Sequence, residues 1–374
     1  MRKAFKYRLF LNDAQAAATQ AQLDSARELY NACLEERRAC YRATGKSLTY
    51  YDQANQLREI RHLCPDVATT NYSMLQAVCR RAHRAFENFY RRRKVGLPGG
   101  FPRFKGCHRF DSITFPAYGD GCKLTATRLK VQGIGSVKVK MHRPIKGTIK
   151  TVTVKREVGK WYVVFSCDGG TPVPLPATGQ SVGIDVGLTH FLTTDTGTTV
   201  ENPHPFKAAQ RKLRVAQRVL ARRKRGSARR GKARQRVAAL HQKVAHARAD
   251  FHHKTAHALV QNNDVICHED LQVANMVKNH NLAKAISDAA WSQFIAILTS
   301  KAEEAGRDVI AVDPRGTSQT CICGAHVPKA LRDRWHDCPS CGLSLPRDQV
   351  SAMLIKRLGH SRQAPTQRSA AYVA

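Results

Sequence analysis

The sequence predicts an α/β protein with more than one domain. A chain of 374 residues is too long for one ordinary hydrophobic core, and 42% of its residues are apolar, which is enough for folding. Apolar residues recur at helical spacing early in the chain, and short alternating strands follow. Beyond residues 169–180, strands and helices alternate. We therefore expect a helical region, a β-rich region and an α/β region.

The net charge predicts a polyanionic partner. Lys and Arg number 62 against 28 Asp and Glu, which leaves a formal charge of +34. Solubility alone needs a net charge of only about 2–8, and a membrane-surface protein usually concentrates its charge on one amphipathic helix. The favoured partner is therefore nucleic acid.

The amino-terminal residues alternate like a strand and lack the apolar stretch of a signal peptide. No run approaches the roughly 18 apolar residues of a membrane span. We therefore expect a soluble, cytoplasmic protein with no membrane partner. In a reducing compartment, scattered cysteines such as Cys33, Cys79 and Cys167 are expected to be small buried apolar residues.

The first half of the chain predicts a strand, a helical subdomain and a β-rich block. Residues 2–11 alternate like a strand, and Asn12-Asp13 is a plausible cap for the first helix. Helical spacing then recurs over 14–43, 51–63 and 70–93. Gly and Pro within 95–106 end the helices. The β-rich block has the turn spacing of a small barrel or sandwich, which the first strand is expected to join.

Residues 169–180 are typical of an interdomain linker. Residues 181–197 then predict two strands, and 307–314 a further one. Between them, 207–249 hold many bases and no acid, and their apolar positions fit two helices broken around Gly226 and Gly231. Without acids for pairing, these bases are expected to contact phosphates. The candidate contacts are Arg222, Arg223, Lys224, Arg225, Arg229 and Arg230.

Three carboxylates lie within or at the ends of predicted elements in the α/β region. Asp185 lies in the first strand, Glu269 follows a short buried strand at 265–267, and Asp348 is in the first turn of a helix over 345–358. Three acids brought together from distant segments are sufficient to hold two Mg²⁺ ions, or Mn²⁺ in their place. Two such ions stabilise the attacking and leaving oxygens in phosphodiester cleavage.

Four cysteines near the carboxyl end predict a structural zinc site. Cys338 and Cys341 have the Cys-x-x-Cys spacing of a zinc knuckle, but Cys321 and Cys323 are one residue short of it. On an extended segment the side chains of the first pair would lie about 7 Å apart, so a shared zinc requires a tight turn. Replacement of one cysteine by His326 or His336 stays open, and so does weak or absent zinc.

Several blocks resemble the TnpB (OrfB-type) family, the RNA-guided nucleases of insertion sequences and relatives of type V CRISPR effectors. They are "VGIDVGLTHF", "HEDLQVANM", "ISDAAWSQFIAILTSKAEEAGRDVIAVDPRGTSQTC" and "CPSCGLSLPRDQ", with "LTYYDQ", "FENFYRRR" and "GFPRFK" in the first half. The resemblance implies a RuvC-like RNase H fold in which Asp185, Glu269 and Asp348 are the catalytic acids in that order. Integrase-type transposases end in Glu instead.

The resemblance also implies a domain plan. The wedge β-barrel would comprise 1–11 and 107–168, the helical recognition domain 12–106, and the linker 169–180. The nuclease core would comprise 181–314 and 346–359, with a basic helical insertion at 207–260. The zinc-ribbon-like target-nucleic-acid-binding insertion would be 315–345, and 360–374 would be a disordered tail. Tyr50 and Gln76 match positions that lie near the flanking motif in the family. Implied partners are a guide RNA from the same element and target double-stranded DNA, with a monomer bound to one RNA and nucleoid association when DNA is bound.

Three functional interpretations follow. The first is an RNA-guided, Mg²⁺-dependent DNA endonuclease. The second is a nuclease-impaired RNA-guided repressor, because the family pattern Asp-Arg-Asp-x-Asn is here Pro346-Arg347-Asp348-Gln349-Val350. The third is an autonomous transposase, which is disfavoured because the chain lacks a His-hydrophobe-His pair with a suitably placed Tyr and its acid order does not end in Glu.

Overall fold

The computed structural model describes residues 2–107, 109–169, 174–330 and 332–370, without the side chains of 66 and 362–370. The chain divides into two compact units, 1–171 and 172–374. No helix in the described ranges is both long and apolar enough to cross a bilayer.

Unit 1 contains an antiparallel seven-stranded sheet. Its strands are β1 (Arg2–Phe10), β2 (Ser112–Phe115), β3 (Cys122–Thr125), β4 (Arg128–Val131), β5 (Gly135–Lys140), β6 (Thr148–Glu157) and β7 (Lys160–Asp168), in the order β2-β6-β7-β1-β5-β4-β3. Strand β1 lies between β7, where Phe5 pairs with Phe165, and β5, where Leu9 pairs with Val139. The first strand therefore joins the β-rich block, as predicted. Among the described residues β2 and β3 are the sheet edges, so the sheet is a half-barrel and not a closed barrel.

The helices of unit 1 are inserted between β1 and β2. They are α1 (Asp13–Thr44), α2 (Tyr50–Asn55), α3 (Leu57–Leu63), α4 (Pro65–Ala68) and α5 (Tyr72–Lys94). Helix α1 begins with a capping box, in which Asn12 accepts from the Gln15 N–H and Gln15 accepts from the Asn12 N–H. Cys33 and Cys79 pack in the core between α1 and α5, with sulfurs 3.7 Å apart, and Cys167 is buried in the sheet. The expectation that these cysteines are buried is confirmed.

Unit 2 contains a mixed five-stranded sheet. Its strands are β8 (Ser181–Val186), β9 (His190–Thr194), β10 (Thr199–Glu201), β11 (Val265–Glu269) and β12 (Asp308–Val312), in the order β10-β9-β8-β11-β12. Strands β8, β11 and β12 are parallel, whereas β9 and β10 return antiparallel. A separate small hairpin pairs β13 (Trp335–Asp337) with β14 (Ser344–Pro346).

Helices cover both faces of the unit 2 sheet. They are α6 (Pro205–Ala221), α7 (Ala228–Asn262), α8 (Val273–Met276), α9 (Ala283–Ala289), α10 (Trp291–Ala305) and α11 (Arg347–Ala370). On one face, Ile184 and Ile266 pack with residues of α7 and α10. On the other face, Cys267 and Val312 pack with Ile355 of α11. The parallel strands are therefore buried on both sides, which accounts for their continuous apolar runs.

The predicted linker, 169–180, spans the boundary between the two units, which lies between 171 and 172. Its described part is held to unit 2, because the Leu175 N–H donates to the Ala305 carbonyl at 2.9 Å and Thr178 binds the Asp264 carboxylate. Two other boundary predictions need correction. Gly231 lies inside α7, so the only break there is at 222–227, around Gly226. Helix α11 continues to Ala370 where a disordered tail is predicted from 360, and residues 371–374 lie outside the described part.

Candidate functional site

Two of the three predicted acids are neighbours across parallel strands. On β8 and β11, Gly183 pairs with Cys267 and Ile184 with His268. Continuing the same register, Asp185 and Glu269 are the next cross-strand pair. Paired residues on adjacent parallel strands point to the same face, with the strands about 4.8 Å apart. The register therefore places these two carboxylates side by side at the carboxyl ends of the central strands.

The third acid reaches the same face on helix α11. A Cβ atom on Gly183 would lie 2.0 Å from the Ala352 carbonyl oxygen, and one on Gly359 would lie 2.2 Å from the Cys267 sulfur. The helix therefore crosses β8 and β11 in direct contact, and glycine provides the room at both crossings. Because alternate residues share a face of a strand, Asp185 points to the side of Gly183. Asp348 lies one helical turn before Ala352, and so near Asp185.

The electrostatics agree with this convergence. Burial raises the pKa of Asp185 well above its ordinary value, the Glu269 and Asp348 carboxylates raise it further, and Arg347 opposes the shift. Burial also raises the pKa of Glu269. Asp185 thus lies beside two carboxylates that disfavour its charge, and a divalent cation would stabilise such a site.

Two neighbours that the sequence analysis missed hold these acids. Buried Thr317 donates its hydroxyl hydrogen bond to Glu269 Oε1. The Arg347 guanidinium donates to Asp348 Oδ1 from Nε at 3.1 Å and from Nη2 at 2.9 Å. Thr317 belongs to no motif that the sequence analysis used. Arg347 directly precedes Asp348 and matches the Arg of the family pattern Asp-Arg-Asp-x-Asn.

Helix α11 is fastened to the sheet by a third missed residue, Asp195. Lys356 Nζ pairs with Asp195 Oδ2 at 2.8 Å, and the Gly183 N–H donates to Asp195 Oδ1 at 3.1 Å. Asp195 follows β9 and was not distinguishable in sequence from an ordinary turn acid. Its contacts fix α11 against the strand that carries Asp185.

The departures from the family pattern around Asp348 have packing explanations. Pro346 is the last residue of β14 and pairs with Trp335, and Val350 is 1% exposed within the core. Both positions therefore serve the packing of α11 and the hairpin. The Asp348 carboxylate keeps its place in the first turn of the helix.

The four cysteines form one cluster. The ligand atoms of Cys321, Cys323, Cys338 and Cys341 all lie within 4.8 Å of one another. The Cys321–Cys341 and Cys323–Cys338 sulfurs are 3.6 and 3.7 Å apart. Tetrahedral zinc with bonds of about 2.3 Å requires sulfurs roughly 3.8 Å apart. The cluster thus fits a structural zinc ion.

The shortened first knuckle, Cys321-x-Cys323, places both of its thiols at one site because its backbone forms a tight turn. The Gly324 N–H donates to the Cys321 carbonyl at 2.9 Å, and Gly324 has φ +96°, which favours glycine. The turn brings Cys321 and Cys323 to the same site. In the second knuckle, burial opposes ionisation of Cys338, but the N–H groups of Cys341 and Ser340 outweigh it and lower its pKa to about 6. That shift favours a thiolate.

The two histidines considered as replacement ligands lie outside the cluster. His336 is buried and accepts a hydrogen bond from Lys329 at Nδ1, and the backbone of His326 bridges to Thr320. Among the described residues, the group that could hold a metal ion here is therefore the four cysteines.

The basic connection between α6 and α7 is largely exposed. Its exposed members are Arg222, Arg223, Lys224, Arg225 and Arg229. Arg230 differs, because its guanidinium donates to the carbonyls of Leu220 at 3.0 Å and Arg223 at 2.8 Å. Arg230 thus caps the end of α6 through Nη1, and its role as a nucleic-acid contact stays a prediction.

The two flanking-motif candidates lie in one patch of unit 1. The Arg80 guanidinium lies 4.8 Å from the centre of the Tyr50 ring. Gln76 is one turn before Arg80 on α5, and residues four apart share a helix face. Tyr50 and Gln76 are both half-buried. Arg80 is a third member of this patch that the sequence analysis missed.

A carboxylate site at the ends of parallel strands, a four-cysteine cluster and a long basic helix pair define a class: a nucleic-acid-binding protein with a site suited to divalent metal. Comparisons with known proteins agree. Family models match residues 151–280 ("Probable transposase", OrfB_IS605), 291–355 ("Cas12f1-like, TNB domain") and 1–46 ("Helix-turn-helix domain"). The chain belongs to the TnpB family.

Two relatives cover most of the chain. A Streptomyces pristinaespiralis protein, named provisionally as an RNA-guided DNA endonuclease, is 31% identical over 97% of this chain and 91% of its own length. InsQ of Escherichia coli K12, named in the same way, is 28% identical over 88% and 85%. The solved structure of the mini-RNA-guided endonuclease CRISPR-Cas_phi3 is 10% identical with a TM-score of 0.42, covering 96% of this chain and 92% of that one.

The match to a helix-turn-helix model covers a region with a different local structure. Residues 1–46 hold one strand, β1, and one long helix, α1. Within the described residues of this range no second helix is present, so the region is not a helix-turn-helix.

Proposed function

We propose that this protein is an RNA-guided, Mg²⁺-dependent DNA endonuclease with a single RuvC-like active site. The observation that carries the proposal is the convergence of Asp185, Glu269 and Asp348 on one face of the unit 2 sheet. The provisional names of the two relatives, both RNA-guided DNA endonucleases, support the same activity.

The strand order of unit 2 supports a RuvC-like RNase H core. An antiparallel hairpin, β9 and β10, continues β8, and β11 and β12 follow in parallel. In this core the first acid lies on the central strand, the second at the end of its parallel neighbour, and the third on a helix across the same face. The long helices α6 and α7 interrupt the core between β10 and β11.

The three acids suit Mg²⁺ because their donors are hard carboxylate oxygens, and burial leaves the charges of Asp185 and Glu269 poorly solvated. When bound, the metal ions would supply charge stabilisation to the attacking and leaving oxygens of the cleaved phosphodiester. Thr317 holds Glu269 through its hydroxyl, and Arg347 holds Asp348. These contacts restrict the rotamers of the two carboxylates before metal or DNA arrives.

Guide RNA and target double-stranded DNA are the proposed partners, held by a monomer. The exposed bases between α6 and α7 would bind backbone phosphates, and the patch of Tyr50, Gln76 and Arg80 would contact the flanking motif. The four-cysteine cluster would hold structural Zn²⁺ beside the helix that carries Asp348. This division leaves sequence recognition mostly to base pairing.

The competing functions receive less support. A nuclease-impaired repressor would be expected to have lost an acid, whereas all three are present and held by hydrogen-bond donors or neighbouring charge. An autonomous transposase would require chemistry for strand transfer that these three acids do not indicate.

The test is cleavage of a plasmid that carries a guide-matched target beside a randomised flank. The protein is loaded with RNA transcribed from the DNA around its own gene and assayed with Mg²⁺ or with EDTA. Guide-dependent and Mg²⁺-dependent cutting is expected, and sequencing of the cut flanks gives the motif.

Matched variants separate chemistry from binding. Asp185→Asn and Glu269→Gln keep side-chain volume and are expected to abolish cutting while RNA-dependent target binding persists. Asp308→Asn, at the start of β12 and away from the three acids, is the control. Cutting by the Asp185→Asn protein, or tight guided binding by the wild type without cutting, would refute the nuclease.

A further inference from the structure

Unit 1 contains a cleft that none of the proposed nuclease parts uses. It has a volume of about 690 Å³ and lies between the carboxyl-terminal halves of α1 and α5. This volume falls within the range of roughly 300–1,000 Å³ typical of small-ligand sites. Five aromatic rings and four arginines contribute to its walls, and we call it the aromatic cleft.

The lining follows from helical spacing on two adjacent helices. On α5, Phe86, Phe89, Tyr90 and Arg93 are three or four residues apart and so share one face. On α1, the facing residues include Tyr41. Tyr41 is 60% exposed and Tyr90 is 50% exposed, so two large rings stand partly open at the cleft.

The chain after α5 completes the wall. Gly96, with φ +69°, ends the helix, and the Leu97 N–H donates to the Arg92 carbonyl at 2.9 Å. The segment then folds back and places Phe101 edge-on to Phe86 and Phe89, with ring centres 5.4 Å away in each case. These edge-to-face contacts fix the orientation of the inner rings.

The charge of the cleft is positive. Arg37 forms part of the buried floor, where Nε donates to Gln53 at 2.7 Å. Arg38 and Arg42 share the carboxylate of exposed Glu35, at 3.8 and 3.0 Å. Exposed ion pairs of this kind contribute little to stability and exchange readily for another anion. The last turn of α5 adds four consecutive bases, 91–94.

Flat aromatic faces beside arginines are the chemistry that binds an unpaired nucleotide. Bases stack on aromatic rings and on guanidinium planes, and arginines bind the phosphates. We infer that the aromatic cleft binds one or two unpaired nucleotides of the guide RNA. This inference rests on the proposed function and adds a specific RNA site to it.

RNA is the favoured source for the nucleotide. Protein recognition of RNA is directed mainly to loops, bulges and ends, whose bases are free to stack. Target DNA, in contrast, is paired either with its complement or with the guide for most of its length.

Photocrosslinking and affinity measurements test the inference together. RNA transcribed from the DNA flanking the gene carries 4-thiouridine, and in a parallel arm target DNA carries 4-thiothymidine. Crosslinked peptides are identified by mass spectrometry. The RNA is expected to crosslink at Tyr41, Tyr90 or Phe101.

The double variant Tyr41→Ala/Tyr90→Ala measures the stacking contribution. Loss of a stacked base weakens RNA binding roughly 5- to 150-fold. Tyr41→Phe/Tyr90→Phe keeps both rings and is expected to restore most of the affinity. Phe10→Ala removes a comparably exposed ring, 49%, from β1 outside the cleft and is expected to leave binding unchanged.

The outcomes separate this inference from the nuclease. Crosslinks elsewhere, crosslinks from DNA alone, or wild-type RNA affinity in the double alanine variant would overturn the cleft while leaving guided cutting intact. Crosslinks in the cleft without any guided cutting would support the cleft and overturn the nuclease. A wild-type protein that binds no RNA would overturn both.

Discussion

The crossing of α11 over β8 gives the sharpest test of how the site is built. In Gly183→Ala, the new Cβ would lie 2.0 Å from the Ala352 carbonyl oxygen and 2.9 Å from the Lys356 nitrogen, whereas an ordinary contact begins at 3.4 Å. Both neighbours are backbone atoms in a close-packed interior, so the helix must move away by about 1.4 Å. Asp348 is one turn along and must move with it.

The expected loss is large for catalysis and moderate for stability. Displacement of a catalytic group by about 1 Å costs on the order of a hundredfold in rate. Overpacking costs about 1–3 kcal/mol. In a unit of this size each kcal/mol lowers the melting temperature by about 2–4 °C, so a fall of roughly 2–12 °C is expected.

The assay is plasmid cleavage under single-turnover conditions, with thermal melting of the same preparations. Gly231→Ala is the matched control, because this glycine is inside α7 with nothing within 4 Å of an added Cβ. That change is expected to stabilise the helix by about 0.5–1 kcal/mol and leave cutting unchanged. Gly359→Ala should be milder than Gly183→Ala, because the Cys267 thiol is able to rotate. Wild-type cutting and melting in Gly183→Ala would refute the proposed position of α11.

Three further predictions concern the metals and the basic helices. Burial and neighbouring carboxylates raise the pKa of Asp185, so its ionised form destabilises the fold, and stability falls as pH rises from the unfolded pKa towards the raised one. In EDTA at neutral pH, Asp185→Asn is therefore expected to have a higher melting temperature than wild type. Mg²⁺ should raise the melting temperature of wild type only. Equal melting temperatures of the two proteins in EDTA would contradict the destabilising effect of the Asp185 charge. Purified protein is expected to hold one zinc by elemental analysis, and Cys321→Ser to lose it, whereas Cys64→Ser, an exposed cysteine outside the cluster, should keep it. Arg229→Ala should reduce the salt dependence of nucleic-acid binding by about one counterion. Arg230→Ala should instead lower the free energy of unfolding by about 1–3 kcal/mol and leave the salt dependence of binding unchanged. A reduced salt dependence with unchanged stability in Arg230→Ala would show that Arg230 contacts nucleic acid.

Local patterns in the sequence were sufficient for much of the fold. The capping box at Asn12, the alternation in β1 and the buried runs of β8 and β11 are set by near neighbours, so hydrophobic spacing predicts them. The acids Asp185, Glu269 and Asp348 stood out because each lies within or at the end of such an element. Their family order then predicted that they would meet.

The rest depends on contacts between distant segments. Thr317 reaches Glu269 across 48 positions, and no periodicity marks it. The hydrogen bonds of Arg230 to the end of α6 were not predictable, because an exposed base and a base that caps a helix look alike in sequence. The turn at Gly324 rescues a cysteine spacing that appears defective, since backbone conformation decides where the thiols point.

The placement of β1 has a consequence for how the chain is made. This strand carries buried Phe5, Tyr7 and Leu9, and its partners β5 and β7 begin only at Gly135 and Lys160. At ribosomal rates of about 5–20 residues per second, β1 waits roughly 8–30 s after its own synthesis for β7. The helices α1 to α5 emerge first and fold on local contacts, which form fastest. They therefore offer the first apolar surface to β1, and a ribosome that stalls before residue 160 would leave that strand's edge exposed to aggregation.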